Sequence, residues 1–296
     1  MKCEIVYYHH SGFTAATDDT LLVFDYWEGN GALPIDKRLT PLRLNRYKQV
    51  FVFTSHAHPD HMDPVVYTWQ CDVPVTYITS FDTAVGVRGR RMWPGDEMPL
   101  ADGVRVKAFG STDTGVSYLV NLNGIRIFHA GDLNLWHWRE ESSLREIEAA
   151  EKAFDEAVAP IAKEKVDIAM FPVDPRQGQM FDAGANLFIL RVKPKVFIPM
   201  HWQNRPEVAI EYARRATNKQ TGVFALVKPR EKLVISFEDD VMTIEVFNQK
   251  EMPPARDMQK EEPQPENEEV PYFTKEDPFL ESDLPVNIET TDEARL

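Results

Sequence analysis

Short runs of β-branched and aromatic residues, separated by turn-forming residues, fill the first half of the chain and predict β-strands. The last two runs are joined by Asn121-Leu122-Asn123-Gly124, whose Asn-Gly pair favours a tight hairpin turn. The first half is therefore predicted to be mainly β-sheet. The predicted strands span about 3–8, 20–25, 50–54, 75–79, 104–109, 116–121 and 125–129.

In the second half, predicted helices alternate with predicted strands, which indicates an α/β fold. An apolar stripe at helical spacing predicts a long helix over about 140–163. The stripe consists of Leu144, Ile147, Phe154, Val158 and Ile161. The other predicted elements are strands at 166–171 and 196–199, helices near 183–191 and 206–216, and closing strands that end at Phe247.

The C-terminal segment has a different composition from the rest of the chain. Residues 250–296 contain 14 acidic and five basic residues, so this segment carries −9 of the formal net charge of −14. Proline and charge leave it little apolar surface to bury. We predict a folded domain over 1–249 and an acidic, Pro-rich tail over 250–296. Tyr272-Phe273 and Pro278-Phe279-Leu280 would anchor the tail in an extended course along a domain, its own or a neighbour's.

Length and composition narrow the classes of function. With 296 residues, 43% of them hydrophobic, the chain can bury one large core. Its acidity argues against a nucleic-acid partner, because phosphate binding needs clustered Lys and Arg. The dense basic patch of Arg88, Arg90 and Arg91 is interpreted as a solvated turn rather than as the alternative, an anion-binding site. Two cysteines without a spacing pattern, Cys3 and Cys71, and the lack of any long apolar run predict a cytoplasmic protein without membrane contact.

The most informative motif directly follows the predicted strand at 50–54. In an extended chain, residues i and i+2 point the same way, so His56 and His58 can converge on one metal ion. Pro59 suits the first turn of a helix, which would aim Asp60 and His61 elsewhere. This turn can therefore offer two ligand pairs to two neighbouring ions, as in two-metal hydrolysis. The motif is His56-Ala57-His58-Pro59-Asp60-His61.

This motif resembles the HxHxDH signature of the metallo-β-lactamase-fold hydrolases. Two later segments extend the resemblance, which implies that Asp132 in Gly131-Asp132 bridges two metals and that His201 in Pro199-Met200-His201 is the last ligand. The segments Tyr8–Phe13 and Leu21–Asp25 resemble the opening of the ascorbate-6-phosphate lactonase-like branch. The resemblance covers roughly residues 3–245. It implies a four-layered αββα sandwich, with metals at one edge between the sheets. The extended acidic C-terminal tail, predicted from composition, follows this sandwich.

One element of the family pattern is missing. The family has a further histidine between the HxHxDH turn and the Gly-Asp strand, but residues 62–128 contain none. Asp113, in a Ser/Thr/Gly-rich loop, is either the substitute ligand or only a turn residue. As a ligand it would make the site more oxygen-rich, which widens the choice of metal from zinc toward manganese or iron.

Four residues are candidates for secondary roles. His10 could hydrogen-bond a ligand or the substrate, or it could be a packed histidine. His129, three residues before Asp132, is expected behind the ligands rather than among them. His137 could supply the missing imidazole, act as a general acid, or belong to an aromatic loop packed on the core. Arg176 follows a strand toward the same edge, and its side chain is suited to hold a phosphate or carboxylate by two contacts.

These residues predict a hydrolase with two divalent ions as cofactors, zinc being favoured and manganese or iron being alternatives. A metal-bound hydroxide would attack an ester, lactone or phosphoester of a small anionic metabolite. Asp60, His10 and His137 are the candidate catalytic residues. The candidate metal ligands are His56, His58, Asp60, His61, Asp113, Asp132 and His201.

Two other functions stay open at this level. Loss of the middle histidine is compatible with a non-catalytic metal- or ligand-binding protein on the same fold. A nuclease is disfavoured, because the chain has no room for an additional RNA-binding domain and lacks a basic face. A small-molecule substrate is the expected partner, and formation of a homo-oligomer is left open.

Overall fold

The computed structural model describes residues 1–238 and 241–247, and the predicted acidic tail over 250–296 lies outside the described residues. The described part contains α-helices α1 Pro41–Leu44, α2 Leu144–Ile161, α3 Ala183–Val192 and α4 Pro206–Ala216. The strands are β1 Lys2–His9, β2 Gly12–Ala16, β3 Thr20–Phe24, β4 Gln49–Thr54, β5 Val75–Ser80, β6 Arg90–Met92, β7 Glu97–Ala101, β8 Val104–Gly110, β9 Val116–Leu122, β10 Ile125–His129, β11 Ile168–Pro172, β12 Val196–Met200, β13 Gly222–Val223, β14 Lys232–Glu238 and β15 Val241–Phe247.

The strands form two mixed sheets. The first has the order β15-β14-β1-β2-β3-β4-β5-β6, and the second has the order β13-β12-β11-β10-β9-β8-β7. Strands β3 to β6 are parallel in the first sheet, and β10 to β13 are parallel in the second. Because side chains that follow parallel strands emerge at their carboxyl ends, each sheet presents one edge suited to a binding site.

Both faces of the central strands β2, β3 and β4 of the first sheet are buried, which explains the nearly continuous apolar runs in β3 and β4. In β4, Phe51 and Phe53 face the second sheet, whereas Val50 and Val52 belong to a separate apolar cluster on the outer face. That outer face is covered by α1 and by short 3-10 helices such as Pro64–Thr68. Helices α2, α3 and α4 cover the second sheet through contacts with β8, β11, β12 and β13.

The predicted α/β sandwich is confirmed, with differences in detail. The Asn-Gly hairpin forms between β9 and β10, and Asn123 and Gly124 both have the positive φ that its turn needs. Helix α2 begins at Leu144 rather than near 140, because Ser143 and Glu146 form a capping box. Pro59 begins a single turn, not a helix: the Met62 N–H donates to the His58 carbonyl, and the turn ends before the 3-10 helix Pro64–Thr68 begins.

The sequence pattern missed β2, β6 and β7. The interpretation of Arg90 and Arg91 as part of a turn is wrong, because both residues lie in β6 at the edge of the first sheet. None of the helices in residues 1–238 and 241–247 is long and apolar enough to cross a membrane.

Removal of residues 250–296 tests the predicted domain boundary. Since the last described strand ends at Phe247 and pairs with β14 along its whole length, the shortened chain should keep a cooperative thermal transition. The midpoint should lie within about 4 °C of the full-length value, a change in unfolding free energy of under roughly 1 kcal/mol. Circular dichroism on both chains measures this, and loss of the cooperative transition would place the boundary elsewhere.

Candidate metal centre

Among the described residues, two groups of histidines and carboxylates lie at the carboxyl-terminal edge of the parallel strands. Within each group, one candidate ligand atom from every residue lies within 4.8 Å of the others. The first, called here the buried group, consists of His10, Asp60, His61 and His201. The second, called here the solvent-facing group, consists of His56, His58, Asp113 and Asp132.

The carboxylate of Asp132 lies between the two groups. Its Oδ2 atom is 3.4 Å from Nε2 of His56 in the solvent-facing group. Its Oδ1 atom is 3.1 Å from Nε2 of His61 and 3.3 Å from Nε2 of His201, both in the buried group. One buried carboxylate therefore reaches both groups, with a different oxygen toward each.

Asp25 and Ser55 orient the imidazoles of the HxHxDH turn. The Ser55 hydroxyl donates to Asp25 Oδ2 at 2.6 Å and lies 2.9 Å from Nδ1 of His56. Nδ1 of His61 lies 2.7 Å from the same Asp25 oxygen. A carboxylate only accepts hydrogen bonds, so Nδ1 of His61 carries a proton, and by the same chain of bonds so does Nδ1 of His56. When a metal displaces any second proton, the Nε2 lone pairs of both rings are the ones that face the centre.

His201 is oriented in the same way by Asp174, which sequence reasoning did not assign. Nδ1 of His201 lies 2.8 Å from Asp174 Oδ2, and Asp174 is fully buried. Arg176 donates from its Nε at 2.9 Å to the same carboxylate. The side chain of Arg176 is 56% exposed, so the predicted substrate-binding residue is held by Asp174 and is still open to solvent.

The loop between β8 and β9 brings Asp113 to the solvent-facing group. Oδ2 of Asp113 lies 3.8 Å from Nδ1 of His58. Gly115 permits this approach, because a Cβ there would lie 2.2 Å from the Ser55 carbonyl oxygen. Asp82 ties the two loops together by accepting from Ala57 N–H at 3.0 Å and from the Thr114 hydroxyl at 3.1 Å.

The structure places His129 and His137 in neither group. Nε2 of His129 lies 2.9 Å from the Ser11 carbonyl, and its ring stacks on Phe24, so this histidine packs behind the centre. His137 is buried in the loop after Asp132, and neither of its ring nitrogens has a hydrogen-bond partner in the described part of the chain. Of the two candidates for the missing ligand, the structure brings Asp113 and not His137 to His56 and His58.

Several residues at this edge have an unusual backbone conformation. His10, Asp25 and His201 have φ values of 54°, 41° and 60°, in the left-handed region that non-glycine residues rarely adopt. Gly131 also has a positive φ, and a Cβ there would lie 2.7 Å from Cβ of Ser55. Concentration of strained backbone at one edge is typical of a functional site.

Comparison with known proteins bears on the fold and on the class of enzyme. No protein-family profile matches the chain. A relative from Symbiobacterium thermophilum, named a UPF0173 metal-dependent hydrolase, is 27% identical over 215 residues, which cover 69% of this chain and 85% of the relative. Among solved structures, Igni18, a metallo hydrolase from Ignicoccus hospitalis, matches with a TM-score of 0.59 and 18% identity over 80% of this chain and all of its own.

A second solved structure identifies the fold. YhfI from Bacillus subtilis, a metallo-β-lactamase fold protein, matches with a TM-score of 0.50 and 9% identity over 79% of this chain and 99% of its own. The chain has the metallo-β-lactamase fold. Relatives named metal-dependent hydrolases confirm the predicted class of enzyme.

Electrostatics at the centre of this metallo-β-lactamase fold favour a cation. Burial opposes the charge of Asp132, but His61 and His201 hold its pKa well below the usual range. Conversely, burial is outweighed by Asp132 and Asp174, which raise the pKa of His201 to about 9. Burial and the neighbouring His201 lower the pKa of His10 to about 4. Without metal, protonated histidines supply the positive charge that Asp132 requires.

The residues present fit divalent ions. Four buried atoms around one point make no hydrogen bond of normal geometry among the described residues, although they approach one another closely. Imidazole nitrogen and carboxylate oxygen are both good ligands for such ions. An ion would therefore give these atoms the partner they lack. They are Nε2 of His10, Nε2 of His61, Oδ1 of Asp132 and Nε2 of His201.

Replacement of Asp113 tests its place in the solvent-facing group. Asp113→Ala should weaken metal binding there by about 10- to 100-fold or more, because one of four candidate ligands is lost. Asp113→His should restore binding and shift the preference toward zinc. Competition with a chelator measures both affinities.

Two variants serve as controls for this experiment. Asp102→Ala removes an exposed carboxylate outside both groups and should bind metal as the parent does. His137→Ala should likewise keep its metal content per folded chain. The assignment of Asp113 fails if Asp113→Ala binds like the parent while His137→Ala loses metal.

Metal affinity should depend on pH in a defined direction. In the metal-free protein His201 has a pKa of about 9, raised above its ordinary value, so near neutral pH its imidazole holds a proton. A metal ion must displace that proton, and each displaced proton changes the apparent affinity by roughly tenfold per pH unit. Affinity should therefore increase as the pH rises from about 6 toward about 9. Burial of His61 is likewise outweighed by Asp132 and Asp25, which hold its pKa well above the ordinary value, so His61 adds to the same trend. Calorimetry in buffers of different ionisation enthalpy counts the released protons, and a flat profile would contradict this account.

Proposed function

We propose that this chain hydrolyses an ester, lactone or phosphoester bond of a small anionic metabolite, with two divalent ions as cofactors. The observation that carries the proposal is the position of Asp132, whose two oxygens face two separate groups of candidate ligands. Such ions, when bound, lower the pKa of a water molecule and polarise the oxygen of the scissile bond.

The chain's own residues contribute orientation and access. Asp25, Ser55 and Asp174 fix the rings of three histidines, so that little reorganisation is needed when metal and substrate bind. His58 and Asp113 have 52% and 40% of their side chains exposed, which leaves one side of the centre open to solvent. A substrate can approach from that side without movement of the buried group.

An anionic substrate is supported by Arg176. Hydrogen bonds to Asp174 raise the pKa of Arg176, and the charges of Asp132 and Asp60 raise it further. The guanidinium therefore lies within electrostatic reach of the centre. The side chain is anchored but half exposed. A fixed guanidinium of this kind can hold a phosphate or carboxylate next to the reacting bond.

Two observations concern the substrate class and the partners. The segment that resembles the ascorbate-6-phosphate lactonase-like branch supplies His10 and Asp25 to this edge, which supports a substrate of that branch's type. Two members of the basic patch are engaged within the fold: Arg88 packs over the ring of Tyr77, and Arg91 donates to the Thr83 carbonyl. This supports a small-molecule substrate rather than a nucleic acid. Zinc as the first choice of metal and a cytoplasmic location belong to the same proposal.

A substrate panel tests the function. Protein purified without chelator is analysed for metal and then assayed with a phosphomonoester, a phosphodiester, a lactone, a neutral ester and single-stranded RNA. We expect turnover of one anionic small substrate, loss of that turnover after chelation, and its return with one added metal. Cleavage of RNA alone would indicate a nuclease, and no turnover by fully loaded protein would favour a non-catalytic binding protein.

Arg176→Gln provides the matched variant. It should raise KM for the anionic substrate about tenfold, a loss of roughly 1.4 kcal/mol, and leave KM for a neutral ester nearly unchanged. An equal effect on both substrates would mean that Arg176 acts only through Asp174.

A further inference from the structure

His10 occupies a position that packing alone does not explain. It is 5% exposed, and its ring centre lies 4.1 Å from that of His201 and 5.5 Å from that of His61. Its Nε2 atom is 3.3 Å from Oδ2 of Asp60, an ion-pair distance, but it makes no hydrogen bond of normal geometry among the described residues. A buried imidazole nitrogen that lacks a well-formed hydrogen bond is costly unless a further group binds it.

The backbone holds His10 in this place. Its N–H donates to the Tyr7 hydroxyl at 3.0 Å, and its carbonyl accepts from the His201 N–H at 3.5 Å. Its left-handed φ of 54° turns the chain sharply between β1 and β2. This strained turn lies where the imidazole of His10 meets Asp60, His61 and His201, as is typical of a functional site.

We propose that His10 is a metal ligand, the fourth protein ligand of the buried group, so that the two metal sites of this chain are unequal. The buried site then has three imidazoles and the carboxylate of Asp60, with Asp132 as a further contact. The solvent-facing site has only two imidazoles, His56 and His58, together with Asp113 and Asp132. The inference rests on the proposed function only in taking two divalent ions as cofactors.

Two consequences follow from this inequality. The buried site, with more ligands and less solvent access, fills first and releases its ion slowly. Its three nitrogen ligands favour zinc, whereas the oxygen-rich solvent-facing site is better suited to manganese or iron. The solvent-facing ion, held partly by the exposed His58 and Asp113, is therefore the one that exchanges readily.

X-ray absorption spectroscopy counts the imidazoles directly. With one equivalent of zinc, the parent protein should show three imidazoles per ion. His10→Asn should show two. Asn is the suitable replacement because it tolerates a left-handed backbone better than other side chains, so the imidazole is lost without added backbone strain. His9→Asn is the control: His9 packs against Trp27, outside both groups, and this variant should keep three imidazoles. Two imidazoles in the parent would overturn the proposal.

Release of metal to a chelator gives a second, independent readout. The fully loaded parent should release one ion quickly and one slowly. His10→Asn should accelerate the slow phase by about 10- to 100-fold and leave the fast phase unchanged, since the loss of a contact at a metal site has effects of this size.

A purely structural role of His10 predicts a different result. The melting temperature of His10→Asn would then fall, while both release phases would stay as in the parent, and the proposal would be wrong. Neither readout requires turnover. The assignment of His10 as a ligand and the proposed hydrolytic function can therefore fail independently of each other.

Discussion

The centre of this fold depends on compensation of the buried negative charge of Asp132. A carboxylate that is 6% exposed needs positive charge or hydrogen-bond donors around it. The chain provides imidazoles on two sides, and those imidazoles are held in turn by Asp25 and Asp174. The loops and strand ends at this edge hold Asp132, the imidazoles and the two supporting carboxylates within contact distance of one another.

From the sequence alone, we could predict the site residues that directly follow a buried strand. The HxHxDH turn, Gly131-Asp132 and Met200-His201 each directly follow a buried apolar run, and chain geometry then places them at an edge. The choice between Asp113 and His137 could not be predicted in this way, because it depends on how closely Gly115 approaches Ser55. The contacts of Asp25 and Asp174 were also missed, although each follows a strand that ends at the same edge.

The elements that were missed have weak patterns for physical reasons. Strand β6 has three residues, two of them Arg, at the end of a sheet, where only one neighbour supplies hydrogen bonds. Strand β7 is also an edge strand, has no fully buried residue, and contains Pro99, which is tolerated at edges. Strand β2 is fully buried, but Gly12 and its two alanines lack the β-branched and aromatic character by which a strand is predicted.

Each group of candidate ligands combines both sheets. In the buried group, His10, Asp60 and His61 come from the first sheet and His201 from the second, whereas Asp113 and Asp132 face His56 across the same boundary. A bound ion is therefore a cross-link between the two layers, closed by residues from distant parts of the sequence. Like a disulfide, the bound ion restrains the separation of the two layers. Unlike a disulfide, it binds reversibly, and the fraction of chains that carry it depends on the metal concentration.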